Sequence, residues 1–210
     1  MTDMAIIISG GDQVPVAVLD GLPGDAYVIA ADSGVDLAAT LGIRVDIVIG
    51  DLDSVSATAL ENTKRLGTRI QHHPVDKDAT DLELALAHAR EEGVSSVIVI
   101  GGHGGRMDHF LANASLLAAQ TGLDVEWRTG TGTAYRVNGT LHLHGAPGET
   151  ISLLAFGGPV HRVRTSGLQW PLHDEDLQPG GTRGMSNRFL GEQVEIGVAD
   201  GNLLVVLPER

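Results

Sequence analysis

Cysteine is absent from all 210 residues, which excludes disulfides, thiolate metal sites and cysteine nucleophiles. Basic charge is scarce. Fourteen Lys plus Arg face 27 Asp plus Glu, and the net charge of -13 argues against DNA or RNA as the main partner. A small anionic substrate stays open if a metal carries the positive charge. No apolar stretch approaches the roughly 18–20 residues needed to span a bilayer, and no basic segment followed by a cleavable apolar run opens the chain. The expected compartment is therefore the cytoplasm, with no membrane partner. The nine histidines form neither HExxH nor another strong zinc spacing, and aromatics make up only 3% of the chain. With 42% hydrophobic residues the chain can still bury a core, in one large domain or two small ones.

Aspartate is plentiful instead, and it is clustered. Eight aspartates fall between positions 32 and 81. Asp32 follows the apolar run Tyr27–Ala31, Asp51 and Asp53 follow Ile47–Gly50, and Asp76, Asp78 and Asp81 follow Thr68–Gln71. Carboxylates gathered at strand ends repel one another unless a cation or a donor-rich ligand offsets their charge. On that argument, removing one of them, Asp51 for example, is expected to relieve repulsion in the ligand-free protein.

Up to about residue 127, short Val/Ile-rich runs alternate with Ala- and Leu-rich helical stretches, the pattern of a parallel sheet flanked by helices. The expected strands are Met4–Ser9, Tyr27–Ala31, Asp46–Ile49, Thr68–Gln71, Val97–Ile100 and Asp124–Trp127. The expected helices are Val35–Leu41, Ala57–Leu66, Asp81–Glu91 and Arg106–Ala119, the third opened by a Thr80/Glu83 capping box. Beyond about residue 130, Gly and Pro become frequent and helical periodicity disappears. Short alternating runs remain at Leu141–His144, Ile151–Phe156, Val160–Val163, Val194–Val198 and Leu203–Leu207, with a turn signal at Asp200-Gly201. The expected fold is an α/β domain over residues 1–130 and a β-sandwich over 131–210.

Three segments in the first half carry chemistry. In Gly50-Asp51-Leu52-Asp53-Ser54, acids at i and i+2 can face one hard cation such as magnesium, although a turn leading to a Ser54 or Ser56 helix cap explains the residues equally well. In Asp76-Lys77-Asp78-Ala79-Thr80-Asp81, the acids also favour the helix macrodipole without any ligand. Lys77 can offset the acids or touch a phosphate. Gly101–His109 is a glycine-rich strand-to-helix turn able to bring backbone N–H groups to a phosphate. It matches neither the P-loop, which ends Gly-Lys-Ser/Thr, nor the Rossmann spacing. The candidate nucleotide contacts are Lys77, Asp78, Thr80, Gly102, Arg106, Asp108 and His109. In the second half, Trp170 sits in a Gly/Pro-flanked segment, as an exposed stacking surface or a plug at one end of the sandwich. His142 and His144 read as a solvated strand face.

Together, Ala31–Gly34, Gly50–Ser54, Asp76–Glu83, Gly101–His109, Gly167–Trp170 and Ser186-Asn187 resemble the thiamin pyrophosphokinase family over nearly the whole chain. The resemblance implies transfer of pyrophosphate from ATP to the thiamin hydroxyl, with AMP leaving, by a homodimer whose site joins the α/β domain of one subunit to the sandwich of the other. It makes Asp51, Asp53 and Asp81 the magnesium ligands, Trp170 the partner of the thiamin pyrimidine, and Ser186 and Asn187 neighbours in that pocket. Lys77 and Arg106 would neutralise phosphate charge, and Asp32 or Asp51 would accept the hydroxyl proton. Two positions depart from the family pattern: Ser33 stands where a glycine is usual and Asp36 where an asparagine is. A pterin-type acceptor and a non-catalytic nucleotide or thiamin diphosphate sensor are the competing readings.

Overall fold

The run Met4–Ser9 (β1) is apolar on both faces, which suits a strand covered by helices on either side. In the computed structural model, which describes residues 3–209, it pairs in parallel with Tyr27–Ala31 (β2) and with Ser96–Gly101 (β5). Ile47–Gly50 (β3) and the exposed edge strand Arg69–His72 (β4) extend the sheet in the order β4-β3-β2-β1-β5. The chain thus builds outward from β1 to β4 and returns to the far side of β1. That reversal between β1 and β5 is a topological switch point, the place where open α/β sheets leave a crevice at their carboxyl ends.

The helices begin and end where local chemistry directs. Ala57–Leu66 (α2) starts at Ser56, whose Oγ accepts the Ala59 N–H at 3.1 Å, and stops at Gly67 in the left-handed conformation. Asp81–Glu91 (α3) starts at Thr80, whose Oγ1 accepts the Glu83 N–H at 3.3 Å. Its buried face is Leu82, Ala85, Leu86 and Ala89. Full burial of a leucine such as Leu86 contributes about 1.5–3 kcal/mol. Gly34–Leu41 (α1) lies so close to β1 that a Cβ at Gly34 would stand 1.9 Å from the Ile8 carbonyl oxygen. Met107–Ala118 (α4) follows β5.

Two compact units are present: residues up to Asn113 with Trp127–Gly130, and Ala114–Glu126 with Thr131 onward. Both α4 and the strand Asp124–Thr129 (β6) contribute residues to each. The second unit is built on one long strand, Thr150–Ser166 (β9), where the sequence suggests two; Gly157-Gly158-Pro159 lie inside it rather than between strands. The first half of β9 pairs with Asp200–Pro208 (β13), which pairs in turn with Gly132–Val137 (β7). Its second half pairs with Gln193–Gly197 (β12), which pairs with Thr140–His144 (β8). Two short strands without a clear sequence signal, His173–Leu177 (β10) and Asn187–Arg188 (β11), also pair with β9. Residues from both halves, among them Val137, Ile151, Leu153, Val163, Val194, Ile196 and Val205, share one core, the arrangement of a sandwich. Asp200-Gly201 is not a hairpin turn, because β12 and β13 do not pair; Gly201 instead sits at a register shift where β13 meets β9. His142 and His144 do lie on an exposed face, beside Glu195 and Gln193. Among the described residues no helix is long and apolar enough to cross a membrane.

Candidate functional site

The carboxyl ends of the first unit's strands open onto a cleft of about 580 Å³. Asp32 follows β2, Asp51 and Asp53 follow β3, Lys77, Thr80 and Asp81 follow β4, and Gly102, Arg106 and His109 follow β5; all line the cleft. Asp78 and Asp108, two of the expected nucleotide contacts, are not among the lining residues. Asp108 is exposed and takes Arg106 in a bidentate pair at 3.1 and 2.6 Å, and this guanidinium bond holds its carboxyl down to about 2.

Carboxylate oxygens of Asp32, Asp51 and Asp53 lie within 4.8 Å of one another. The expected triad had Asp81 in place of Asp32. In the structure the Asp81 carboxylate faces Lys77 instead, whose Nζ lies 3.0 Å from Asp81 Oδ1 and 2.6 Å from Asp51 Oδ2. The hydrogen-bonded ammonium holds the Asp51 carboxyl below the ordinary carboxylate range. Burial works against the Lys77 ammonium, yet its bonds to Asp51 and Asp81 outweigh burial and raise it. The repulsion expected at Asp51 is therefore already offset by a cation. It persists at Asp32, which is 8% exposed and whose Oδ1 is buried without a hydrogen-bond partner.

Burial raises the Asp32 carboxyl above its ordinary range; the Ser33 N–H opposes this, and the charges of Asp81, Asp51 and Asp53 add to it. A carboxyl raised in the folded state stabilises the fold below its unfolded value, about 3.9, and that contribution is lost as pH rises through the folded value. Asp32→Asn is thus expected to melt higher than the native protein at pH 7 in chelator, with the difference closing as pH falls through that range. Thermal unfolding at several pH values measures this. Asparagine also tolerates the backbone there, since Asp32 has φ of +47°. Leu52 (φ +65°) and Ser186 (φ +52°) share this uncommon conformation, as do Arg162 and Asp174, which lie outside the segments singled out for chemistry. Gly50 explains itself by space: a Cβ there would stand 3.0 Å from Asp32 Cβ and 3.1 Å from Asp81 Oδ1.

Part of the cleft wall was not anticipated. Ser9 at the end of β1 and Gly10 and Gly11 after it line the cleft, as do His103 and Asn113. The Gly102 N–H donates to the Ser9 carbonyl at 3.2 Å and the Asp12 N–H to the His103 carbonyl at 2.9 Å, joining the turns after β1 and β5 at the switch point. The His103 Nε2 accepts the Gly130 N–H at 3.0 Å. The signal was available in the strand-end pair Gly10-Gly11, which resembles the turn at Gly101–Gly105. Asp36, the departure from the family's asparagine, accepts hydrogen bonds from both the N–H and the Oγ of Ser56, tying α1 to the start of α2. Its charge is engaged there rather than with the acid triad.

In the second unit Trp170 is 48% exposed, and Met185 and Leu190 are exposed as well. Asn187 is only 1% exposed: its Oδ1 accepts from the Trp170 and Arg188 N–H groups at 3.0 and 2.9 Å, and its Nδ2 donates to the Trp170 carbonyl at 2.7 Å. It fixes the tryptophan's backbone from both sides of the peptide. The Ser186 N–H donates to Ser152 Oγ at 3.0 Å.

The fold and the cleft define a two-unit protein in which an α/β sheet with strand-end carboxylates and glycine turns precedes a β-sandwich bearing an exposed tryptophan. The chain belongs to the thiamin pyrophosphokinase family: its catalytic domain profile matches residues 22–126 and its vitamin B1 binding domain profile residues 138–203. A thiamine pyrophosphokinase of Bacillus subtilis (strain 168) is 26% identical over 212 residues, covering 95% of this chain and 96% of that protein. Thiamine pyrophosphokinase 1 of Arabidopsis thaliana is 26% identical over 172 residues, covering 77% of this chain and 64% of that longer protein. Among solved structures, thiamine pyrophosphokinase from B. subtilis superposes with a TM-score of 0.85 at 24% identity, covering 99% of each chain. Thiamin pyrophosphokinase from Candida albicans gives 0.80 at 14% identity, covering 98% of this chain and 90% of that one.

Proposed function

We propose that the chain transfers a pyrophosphoryl group from ATP to the hydroxyl of thiamin, forming thiamin diphosphate and AMP. The thiamin oxygen attacks the β-phosphorus, the bond from that phosphorus to the oxygen retained by AMP breaks, and the hydroxyl proton passes to a carboxylate. The observation that carries the reading is the convergence of three carboxylates, one ammonium and two glycine turns in a single cleft at the sheet's switch point. Such transfers depend mainly on positioning and charge neutralisation.

Magnesium fits the donor set, because hard oxygen ligands lie within 4.8 Å of one another and the buried Asp32 Oδ1 has no partner. Asp51 and Asp53 are the residues that would hold it, with Asp32 or Asp81 beside them, and when bound it would neutralise phosphate oxygens. Asp32 is the better proton acceptor of the two candidates, since its proton affinity is raised while Lys77 lowers that of Asp51. Lys77 and Arg106 supply the remaining positive charge, and the N–H groups of the turns after β1 and β5 supply neutral donors. Trp170 offers a stacking face for the thiamin pyrimidine, held from behind by Asn187. A cytoplasmic homodimer with sites shared between subunits completes the proposal and rests on the family resemblance.

Purified protein given ATP, magnesium and thiamin is expected to release AMP and thiamin diphosphate in equal amounts. ADP as the stoichiometric nucleotide product would show transfer of a single phosphoryl group and overturn the reading. A hydroxymethyl pterin in parallel tests the acceptor.

A further inference from the structure

We propose that Lys77 is a resident counter-ion for the strand-end carboxylates, which a divalent cation must displace, so that cation and nucleotide enter the cleft cooperatively. This rests on the reading of the cleft as a metal-nucleotide site. Lys77 Nζ lies 2.6 Å from Asp51 Oδ2 and 3.0 Å from Asp81 Oδ1, while the Asp53 N–H donates to Asp51 Oδ1 at 3.2 Å. Each oxygen of Asp51 thus already accepts one hydrogen bond, and Oδ2 accepts it from a cation.

A magnesium or manganese ion bonds carboxylate oxygen at about 2.1 Å. Placed on the oxygen that now holds the ammonium, it would stand within about 5 Å of a positive charge in a cleft where the Lys77 and Asp51 side chains are only 14% and 10% exposed. Solvent screens such a pair poorly, so ammonium and cation exclude each other from this carboxylate. Phosphate oxygens entering beside the cation provide the displaced ammonium with a new partner. Each ligand then removes the obstacle to the other, which is positive coupling between two binding events.

The residue type suits the task. The chain has two lysines, Lys64 and Lys77, against twelve arginines. An ammonium is a compact charge on a flexible stem and exchanges partners without breaking a planar two-bond fork, which an arginine would have to break. Asp32 Oδ1 and Asp81 Oδ1 are both buried without a hydrogen-bond partner, a second sign that the acids await a ligand: the single Lys77 charge is shared between Asp51 and Asp81 and does not reach Asp32.

Calorimetric titration with manganese in the absence of nucleotide is the first test. Lys77→Met is expected to bind manganese at least tenfold more tightly than the native protein, whereas Arg106→Met, which removes an exposed cation from the same cleft, changes affinity less than threefold. Equal affinity in native and Lys77→Met protein, or equal gains in both variants, would overturn the counter-ion role. Absence of manganese binding from native and variant protein alike would overturn the metal reading along with it. The native protein gives a second test that needs no substitution. Labelling with a lysine-acylating reagent, using the exposed Lys64 as internal reference, is expected to be slow at Lys77, to quicken at least threefold at saturating manganese, and to slow again on addition of ATP. A Lys77 rate indifferent to saturating manganese refutes the displacement.

Discussion

Asp51→Asn is expected to lower turnover about a thousandfold, on the scale of losing a group that organises transition-state charge, while the protein still folds. Asp51 serves the cleft rather than the core: it stands past the end of β3 and touches Lys77 and the Asp53 N–H. Charge repulsion alone predicts a higher melting temperature for the variant in chelator. The structure reverses that sign. Lys77 holds the Asp51 carboxyl low, so the pair stabilises the fold above the unfolded carboxylate value of about 3.9, and this contribution is lost as pH falls through the lowered folded value. A small drop in melting temperature at pH 7 is therefore expected, shrinking in acid. Steady-state rates and thermal unfolding on the same preparation separate the two effects: near-native turnover would remove Asp51 from the reaction, and loss of the fold would make it structural. Set beside Asp32→Asn, which is expected to melt higher at pH 7, the result distinguishes a paired carboxylate from an unpaired one in the same cluster.

Trp170→Ala is expected to raise the thiamin concentration needed for half-maximal rate by roughly 5- to 150-fold, the range that loss of one aromatic stacking partner of about 1–3 kcal/mol gives. Stability changes little, because the ring is half exposed and Asn187 grips the backbone, not the indole. The same variant tests the proposed sharing of sites between subunits. Asp51→Asn and Trp170→Ala chains are unfolded together and refolded as a mixture. In a mixed dimer whose sites are built in trans, one site carries both defects and the other neither. Random equal mixing therefore recovers about a quarter of native activity by symmetry counting. Activity no higher than the average of the two separate variants, with subunit exchange confirmed by mass, would place each site within a single chain.

The elements of the first unit were legible because their signals are local. Met4–Ser9, Tyr27–Ala31, Ala57–Leu66 and Asp81–Glu91 fall where periodicity, the Ser56 and Thr80 caps and the closing Gly67 put them, since burial and free N–H groups act within one helical turn or along one strand. The second unit was less legible. β9 runs through Gly157-Gly158-Pro159, and β10 and β11 exist only by pairing with it; strand pairing is non-local, and residues such as His173 and Asn187 carry no periodic pattern of their own. The kinds of residue in the cleft were likewise set by sequence, as acids after β2 and β3, a lysine after β4 and glycines after β5. Which acids meet was not. Asp32 lies with Asp51 and Asp53, because the neighbouring strands β2 and β3 carry it and Asp51 to the same end of the sheet, while Asp81 faces Lys77. Nor could sequence show that Lys77 occupies Asp51, that Ser9-Gly10-Gly11 joins the wall through the return of β5 beside β1, or that Asn187 is closed off behind Trp170. Composition and periodicity determine which segments form and what chemistry they carry, whereas distances between segments far apart in the chain depend on which strands become neighbours, and the tertiary structure alone decides that.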